Sequence, residues 1–209
     1  MIEAIIFDLG GILLPEKWDE IVDEMSRYLN LSPRKYDSFV KSHREQLLSG
    51  EISLLQLYQK ATLTLSLQTT AGDILKKHME LYEESSRDRD AQIASLVGTL
   101  RRRYTVVYAT NTEKEVEEFN RTRPDNFFNL FENGFTSIQM GMSKRNPEFF
   151  RKMLKEMHFL PDQVVFIDNE RAYFESAQSV GIPSILYGSY KVGYHPLVAA
   201  LKEKGVQIP

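Results

Sequence analysis

Four short apolar segments constrain this chain more than any other feature of its sequence. They read AIIF, TVVY, VVFI and SILY, at residues 4–7, 105–108, 164–167 and 184–187. Each is rich in β-branched or aromatic residues and is nearly free of polar ones. Strands that are buried on both faces have this pattern, and they occur in parallel sheets covered by helices. The segments therefore predict the strands of a parallel sheet.

Helical patterns lie between these segments, at residues 113–119, 148–154 and 170–180. Thr112 precedes the first pattern, and Glu115 is placed to complete a capping box. Pro147 opens the second pattern, and Gly181 ends the third. Strands that alternate with helices in this way predict an α/β protein with a doubly wound, Rossmann-like sheet.

The region between residues 15 and 86 has no comparable apolar segment, but helix starts recur there at Ser32, Ser53 and Thr70. The chain has 209 residues, which is long enough for one domain and a sizeable insertion. We expect an α/β core of residues 1–14 and 87–209, interrupted by a small helical domain of residues 15–86. Residues 188–193 predict a surface turn before a last helix near Pro196.

Composition excludes several classes of function. The chain has no cysteine, which excludes disulfides, thiolate metal sites and a cysteine nucleophile. The net charge is -3 and the basic residues are dispersed, so nothing predicts binding to nucleic acid or to an anionic membrane. The basic run at residues 101–103 is typical of a helix C-terminus. The sequence has no targeting signal and no membrane span, so we expect a cytoplasmic monomer or homodimer.

Polar residues gather where the predicted strands and turns end. They are Asp8, Gly10 and Gly11 after the first strand, Thr110 and Asn111 after the second, Lys144 in a later turn, and Asp168, Asn169 and Glu170 after the third. Open α/β sheets bind ligands in the crevice outside the carboxyl ends of their strands. Each residue alone is typical of a turn or a helix cap. Together, two carboxylates, a hydroxyl and a lysine predict one active site.

These segments resemble the haloacid dehalogenase superfamily of hydrolases over nearly the whole chain. The resemblance is carried by residues 6–13, 107–111, 141–150 and 165–169, then by Ala177 and residues 181–183, in the family's order and spacing. Residues 15–86 are similar to the family's small helical cap. The Asp-Leu-Gly sequence at residues 8–10 resembles a branch of sugar-phosphate phosphatases. The resemblance implies a Mg²⁺-dependent phosphatase that acts on a small phosphorylated metabolite, with a sugar phosphate favoured.

The resemblance also implies a role for each catalytic residue. Asp8 would be the nucleophile that attacks phosphorus, giving an aspartyl-phosphate that water then hydrolyses. Thr110 and Lys144 would bind the phosphoryl group and neutralise its charge. Asn111 and Gly11 would add contacts to the same phosphate. Phosphoryl transfer needs mainly such positioning and charge neutralisation.

By the same resemblance, Mg²⁺ would be bound by Asp8, the Gly10 carbonyl, Asp168 and Asn169. The family usually has a second aspartate, a general acid and base, where this chain has Gly10. Glycine keeps the carbonyl but loses the acid–base help, which is typically worth about 10²–10⁴ in rate. Asn169 replaces an acidic residue of many relatives, so Mg²⁺ binding should be weaker unless Glu170 compensates.

The missing acid favours substrates whose leaving group needs little protonation, such as anomeric sugar phosphates, acyl phosphates and aryl phosphates. Alternatively, the helical cap supplies a proton donor, for which His43, Glu45 and Glu51 are the candidates. Two other functions stay open. One is a catalytically impaired relative that binds a phosphorylated ligand or partner, and Gly10 and Asn169 favour it. The other, less favoured, is a 2-haloacid dehalogenase that needs no metal.

Overall fold

The computed structural model of the protein describes residues 1–188 and 193–208. Its centre is a five-stranded parallel sheet with the order β3-β2-β1-β4-β5. The strands are β1 Ala4–Phe7, β2 Thr105–Thr110, β3 Asn133–Thr136, β4 Val164–Asp168 and β5 Ser184–Leu186. Helices cover the sheet, so the predicted α/β fold with a Rossmann-like parallel sheet is confirmed.

Six helices lie between β1 and β2, and the first five of them form what we call the helical insert. They are α1 Trp18–Tyr28, α2 Pro33–Ser42, α3 Arg44–Leu48, α4 Leu54–Thr64 and α5 Ala71–Ser85. Ser32, Ser53 and Thr70 each accept a backbone N–H in the first turn of their helix, as the sequence predicted. The insert has its own hydrophobic cluster, which includes Met25, Tyr36 and Leu57.

Six further helices belong to the rest of the described chain, and all except α7 contribute side chains to the hydrophobic clusters on the two faces of the sheet. They are α6 Ala91–Leu100, α7 Lys114–Thr122, α8 Ser137–Met140, α9 Pro147–Met157, α10 Arg171–Ser179 and α11 His195–Glu203. Because successive strand residues point to opposite faces, Ile5 belongs to the cluster with α6 and α11, whereas Ile6 belongs to the cluster with α9 and α10. Both faces are therefore buried, which explains the unbroken apolar segments of the sequence.

The edge strand β3 was not predicted from the sequence. Its Asn133 and Gly134 are residues that strands disfavour. The structure shows why a glycine is needed, because a Cβ at Gly134 would lie 1.9 Å from Cζ of Tyr108 on the neighbouring strand. The Tyr108 ring also stacks on Phe128, at 4.5 Å between centroids. Close packing of one ring over the backbone therefore overrides the local strand propensity.

The predicted start of α7 was wrong. Glu113, not Thr112, is the N-cap residue, and no side chain caps this helix. The Glu115 carboxylate instead accepts hydrogen bonds from the backbone N–H groups of Leu54 and Leu55, at 3.0 and 3.1 Å. It therefore caps α4 of the helical insert, and a contact distant in sequence replaces the predicted local one.

The sequence also predicted a turn and a last helix near the end of the chain. The turn predicted at residues 188–193 falls mainly on residues 189–192, which lie outside the described part of the chain. The last helix begins at His195, with Pro196 in its first turn. No helix within the described ranges is long and apolar enough to cross a membrane.

Candidate active site

Asp8 and Asp168 lie side by side at the carboxyl edge of the sheet. Phe7 of β1 pairs with Ile167 of β4, so the next residue of each strand is an aspartate. The Asp8 N–H donates to the Ile167 carbonyl at 2.8 Å, which fixes the position of Asp8 just beyond the strand. Asp8 is 6% exposed and Asp168 is fully buried. The strand register therefore brings together two carboxylates that are 160 residues apart.

Lys144 joins these carboxylates. Its Nζ lies 2.5 Å from Oδ1 of Asp8 and 2.7 Å from Oδ2 of Asp168, and the residue is 1% exposed. Its ammonium group also lies 4.8 Å from the ring centroid of Tyr173. A buried charge needs partners of this kind, because desolvation is otherwise costly. The three predicted residues Asp8, Lys144 and Asp168 thus form one buried ionic cluster.

Electrostatics within the cluster favour a charged lysine. Burial alone would lower the pKa of Lys144, but the adjacent Asp168 and Asp8 outweigh it and raise this pKa above its usual range. Burial raises the pKa of Asp8 to about 7, Lys144 opposes this rise, and Asp168 adds to it. One ammonium group therefore faces two desolvated carboxylates, and a further cation would favour the ionised form of Asp8.

Thr110 and Asn111 lie at the end of β2, beside the ionic cluster. They line a cleft of about 120 Å³ together with Asp8, Gly10 and Lys144. Oδ1 of Asn111 accepts the backbone N–H of Lys144 at 3.0 Å, which fixes the amide. Its buried Nδ2 has no hydrogen-bond partner within the described ranges. A buried donor beside a lysine and a hydroxyl has the chemistry to bind an anionic oxygen.

Gly11, for which the resemblance implies a phosphate contact, lies in the turn after β1. Its backbone N–H donates to the Leu14 carbonyl at 2.8 Å, so the turn itself uses that group. The glycine is needed for another reason, because its φ is +73° and a Cβ would lie 2.4 Å from Nδ2 of Asn169. A Cβ at Gly10, in contrast, would have nothing within 4 Å.

The donor set of the site fits a hard divalent cation. Mg²⁺ in proteins is typically bound by one or two carboxylates, with water and substrate phosphate as the other ligands. Asp8 and Asp168 supply two carboxylates. Gly10 and Asn169, the residue after Asp168, line the cleft together with Asp8. Within the described ranges no group of three or more histidine or acidic residues is clustered for a metal.

Asn169 has a second interaction that sequence reasoning did not predict. Its Nδ2 donates to Oε2 of Glu16 at 2.6 Å. Glu16 is exposed at the edge of the cleft, and partial desolvation, with the nearby charge of Glu170, raises its pKa. The N–H of Glu170 in turn donates to Oδ1 of Asp168 at 2.8 Å. This side of the cleft therefore holds Glu16 and Glu170 in addition to the two aspartates at the strand ends.

The proton donors proposed for the helical insert lie elsewhere. Nδ1 of His43 hydrogen-bonds to the Phe39 carbonyl, and Glu51 accepts from Gln46. Glu45 accepts from Ser143 Oγ at 2.7 Å. None of the three candidates lines the cleft that contains Asp8.

Arg44 lines this cleft instead, and its Nη2 lies 3.3 Å from the Tyr173 hydroxyl. Sequence reasoning missed Arg44 and Glu16, because no spacing rule shows how the insert lies over the sheet.

Comparisons with known proteins agree with this architecture. Residues 2–181 match the family described as haloacid dehalogenase-like hydrolase. The chain is 26% identical over 182 residues to sesquiterpene phosphatase astK of Aspergillus oryzae, covering 86% of this chain and 87% of that protein. It is 21% identical over 199 residues to D-ribitol-5-phosphate phosphatase of Bacteroides thetaiotaomicron, covering 87% and 89% of the two chains.

Solved structures share the fold at low sequence identity. A HAD family enzyme of Bacteroides thetaiotaomicron, in complex with magnesium and inorganic phosphate, has a TM-score of 0.77 at 18% identity, covering 94% of this chain and 99% of that one. A predicted HAD-like hydrolase of Porphyromonas gingivalis has a TM-score of 0.76 at 20% identity, covering 97% and 98%. Because the family match spans most of its length, the protein belongs to the haloacid dehalogenase-like hydrolases.

Proposed function

We propose that this hydrolase is a Mg²⁺-dependent phosphatase that hydrolyses a small phosphorylated metabolite through an aspartyl-phosphate. The observation that carries the proposal is the buried cluster in which Lys144 bonds to both Asp8 and Asp168. Such a cluster presents a carboxylate nucleophile beside a fixed positive charge. Both relatives described above are named as phosphatases, which supports the same reaction class.

In the first step, a carboxylate oxygen of Asp8 bonds to phosphorus while the bond from phosphorus to the ester oxygen breaks. The leaving oxygen takes its proton from water, because Gly10 has no side chain to donate one. Lys144 neutralises charge on the transferring group, and Thr110 and Asn111 donate hydrogen bonds to its oxygens. Water then attacks the phosphorus of the aspartyl-phosphate, which releases phosphate and restores Asp8.

Asp8 and Asp168, with the Gly10 carbonyl and Asn169, would hold the magnesium ion. The ion supplies positive charge next to the phosphoryl oxygens and the nucleophile. The helical insert, expected to correspond to residues 15–86, would act as a cap that covers this site. Arg44 of the insert already lines the cleft with Asp8, which supports that role. The cytoplasmic location expected from the sequence is part of this proposal.

The class of substrate is proposed from Gly10 and from the resemblance. Gly10 favours leaving groups that need little protonation. The resemblance, and the relative named for D-ribitol 5-phosphate, favour a sugar phosphate.

The test is hydrolysis of phenyl phosphate with and without Mg²⁺, by the wild type and by Asp8→Asn. We expect turnover by the wild type with Mg²⁺, loss of turnover with a chelator, and none with Asp8→Asn. Equal activity of the two proteins would contradict the proposal. If phosphate raises the melting temperature but no monophosphate is hydrolysed, the protein is a binding relative. Chelator-resistant release of halide from a 2-haloacid would instead indicate a dehalogenase.

A further inference from the structure

A second cavity adjoins the cleft that contains Asp8. Its volume is about 140 Å³, and it lies between the turn after β1, the end of α5, the start of α7 and the 3-10 turn Phe127–Leu130. Gly10, Thr110 and Asn111 line both spaces. An ester whose phosphorus lies at Asp8 could therefore extend its organic group past these residues into the second cavity.

The walls of this cavity are mainly apolar and well buried. They include Leu9, Leu14, Val116, Phe127 and Phe128, each less than 9% exposed. An apolar protein cavity of about 150 Å³ is large enough to bind benzene. The space therefore suits a compact hydrocarbon group of about that size.

Polar side chains at the cavity are mostly engaged with other protein groups. The Tyr82 hydroxyl accepts from Nδ2 of Asn120 at 2.7 Å. Ser86 Oγ accepts from Arg123 at 2.8 Å and donates to the Glu83 carbonyl at 3.2 Å. Ser86 Oγ cannot also bind a ligand hydroxyl without losing an existing bond, whereas the Tyr82 hydroxyl, which only accepts in its bond to Asn120, can still donate one hydrogen bond.

Two buried polar atoms of the cavity residues have no partner within the described ranges, and one of them, Nδ2 of Asn111, faces the proposed phosphate site. Oδ1 of Asn120 is buried and has no hydrogen-bond partner among the described residues. It can accept a single hydroxyl. The Glu113 carboxyl group also lines the cavity, and burial raises its pKa. This carboxyl group accepts a hydrogen bond from the backbone N–H of the same residue. A polyol would bring several hydroxyls, and each one buried without a partner costs about 1–3 kcal/mol.

We propose that this cavity binds the leaving group, so that the substrates are monophosphates of small, mainly apolar alcohols or phenols rather than of the sugar that the resemblance favours. The inference rests on the proposed phosphatase activity. For phenols it also agrees with the lack of a proton donor at Gly10, because a phenolate can leave without being protonated. The cavity, rather than the phosphate site, would then decide which ester is hydrolysed.

The first experiment compares kcat/KM for isopentyl phosphate and ribitol 5-phosphate. Both leaving groups are primary alkoxides, so a difference in kcat/KM reflects binding in the cavity rather than the acidity of the leaving group. We expect isopentyl phosphate to be favoured about tenfold or more, since each buried methylene contributes about 0.8 kcal/mol. A preference for ribitol 5-phosphate would overturn the inference.

Acetyl phosphate distinguishes the two proposals, because its small leaving group does not need the cavity. If none of the three compounds, acetyl phosphate, isopentyl phosphate and ribitol 5-phosphate, is hydrolysed, the proposed phosphatase activity is contradicted. If acetyl phosphate and ribitol 5-phosphate are hydrolysed, and kcat/KM for isopentyl phosphate is no higher than that for ribitol 5-phosphate, only the inference about the cavity is contradicted.

The second experiment fills the cavity from α7. Val116→Leu and Val116→Phe add increasing volume at a lining residue that is 4% exposed. We expect the ratio of kcat/KM for isopentyl phosphate to that for acetyl phosphate to fall stepwise. Val40→Leu, at a buried valine of α2 that does not line the cavity, should keep the wild-type ratio. An unchanged ratio in Val116→Leu would contradict the inference even if Val116→Phe fails to fold.

Discussion

Lys144 shows how one residue organises the site. Its ammonium group bonds to carboxylates from two different strands, and its backbone N–H bonds to Asn111. The sequence could predict this meeting, because parallel strands place their carboxyl ends at one edge of the sheet. It could not place Arg44 or Glu16, since both depend on how the segments after β1 fold back over that edge.

Gly10 gives the sharpest prediction at the residue scale. A Cβ there would meet nothing within 4 Å, and the backbone is not in the left-handed region. Gly10→Asp should therefore fold and should add a proton donor beside the leaving group. We expect its kcat for isopentyl phosphate to rise by at least about 10-fold, while that for acetyl phosphate changes little.

Gly10→Asn is the matched control, because it has the same size but cannot donate a carboxylic proton. If Gly10→Asp and Gly10→Asn have the same rates on isopentyl phosphate, acid catalysis is not what position 10 lacks.

At the scale of elements, the sequence predicted the three central strands and the edge strand β5, but not the other edge strand, β3. The four apolar segments are strands because both of their faces are covered. β3 is a strand because Gly134 admits the ring of Tyr108, which no local pattern could indicate. The start of α7 was misread for a similar reason, since Glu115 bonds to another helix rather than to its own.

The contact between α7 and α4 can be tested by Glu115→Ala. The carboxylate accepts two N–H groups at the positive end of α4, so its loss leaves both without that partner. We expect the free energy of unfolding to fall by about 1–2 kcal/mol, measured by urea denaturation. Glu118→Ala, at an exposed glutamate of the same helix, should change it little. Equal effects of the two substitutions would show that the cap contributes nothing.

At the scale of the whole molecule, three hydrophobic clusters hold the protein together. Two lie on the faces of the sheet, and the third joins the helical insert to Val116 of α7. The third cluster surrounds a buried polar chain, in which the Tyr58 hydroxyl lies 3.1 Å from that of Tyr36 and 2.6 Å from Nδ1 of His78. The sequence indicated an insert, but it did not show that a histidine would lie inside it.

His78 predicts how global stability depends on pH. Burial lowers its pKa from 6.5 to about 4, so between these values the unfolded chain binds a proton that the folded chain does not. Stability from this group is therefore fully present above pH 6.5 and is lost as the pH falls toward 4. The loss amounts to about 3 kcal/mol when complete.

The measurement is the free energy of unfolding at pH 7.5 and pH 5, for wild type and His78→Gln. The difference between the two pH values should be smaller in His78→Gln. His195→Gln, at an exposed histidine, serves as the control and should behave as the wild type. An undiminished pH dependence in His78→Gln would argue that other groups cause it.

The most direct test of the central claim is to identify the residue that is phosphorylated during turnover. The protein is mixed with phenyl phosphate and Mg²⁺, quenched in acid, digested and analysed by mass spectrometry. We predict one phosphoryl group on the peptide that contains Asp8, and neither the adduct nor turnover in Asp8→Asn. A phosphoryl group on another residue, or turnover by Asp8→Asn at the wild-type rate, would contradict the account.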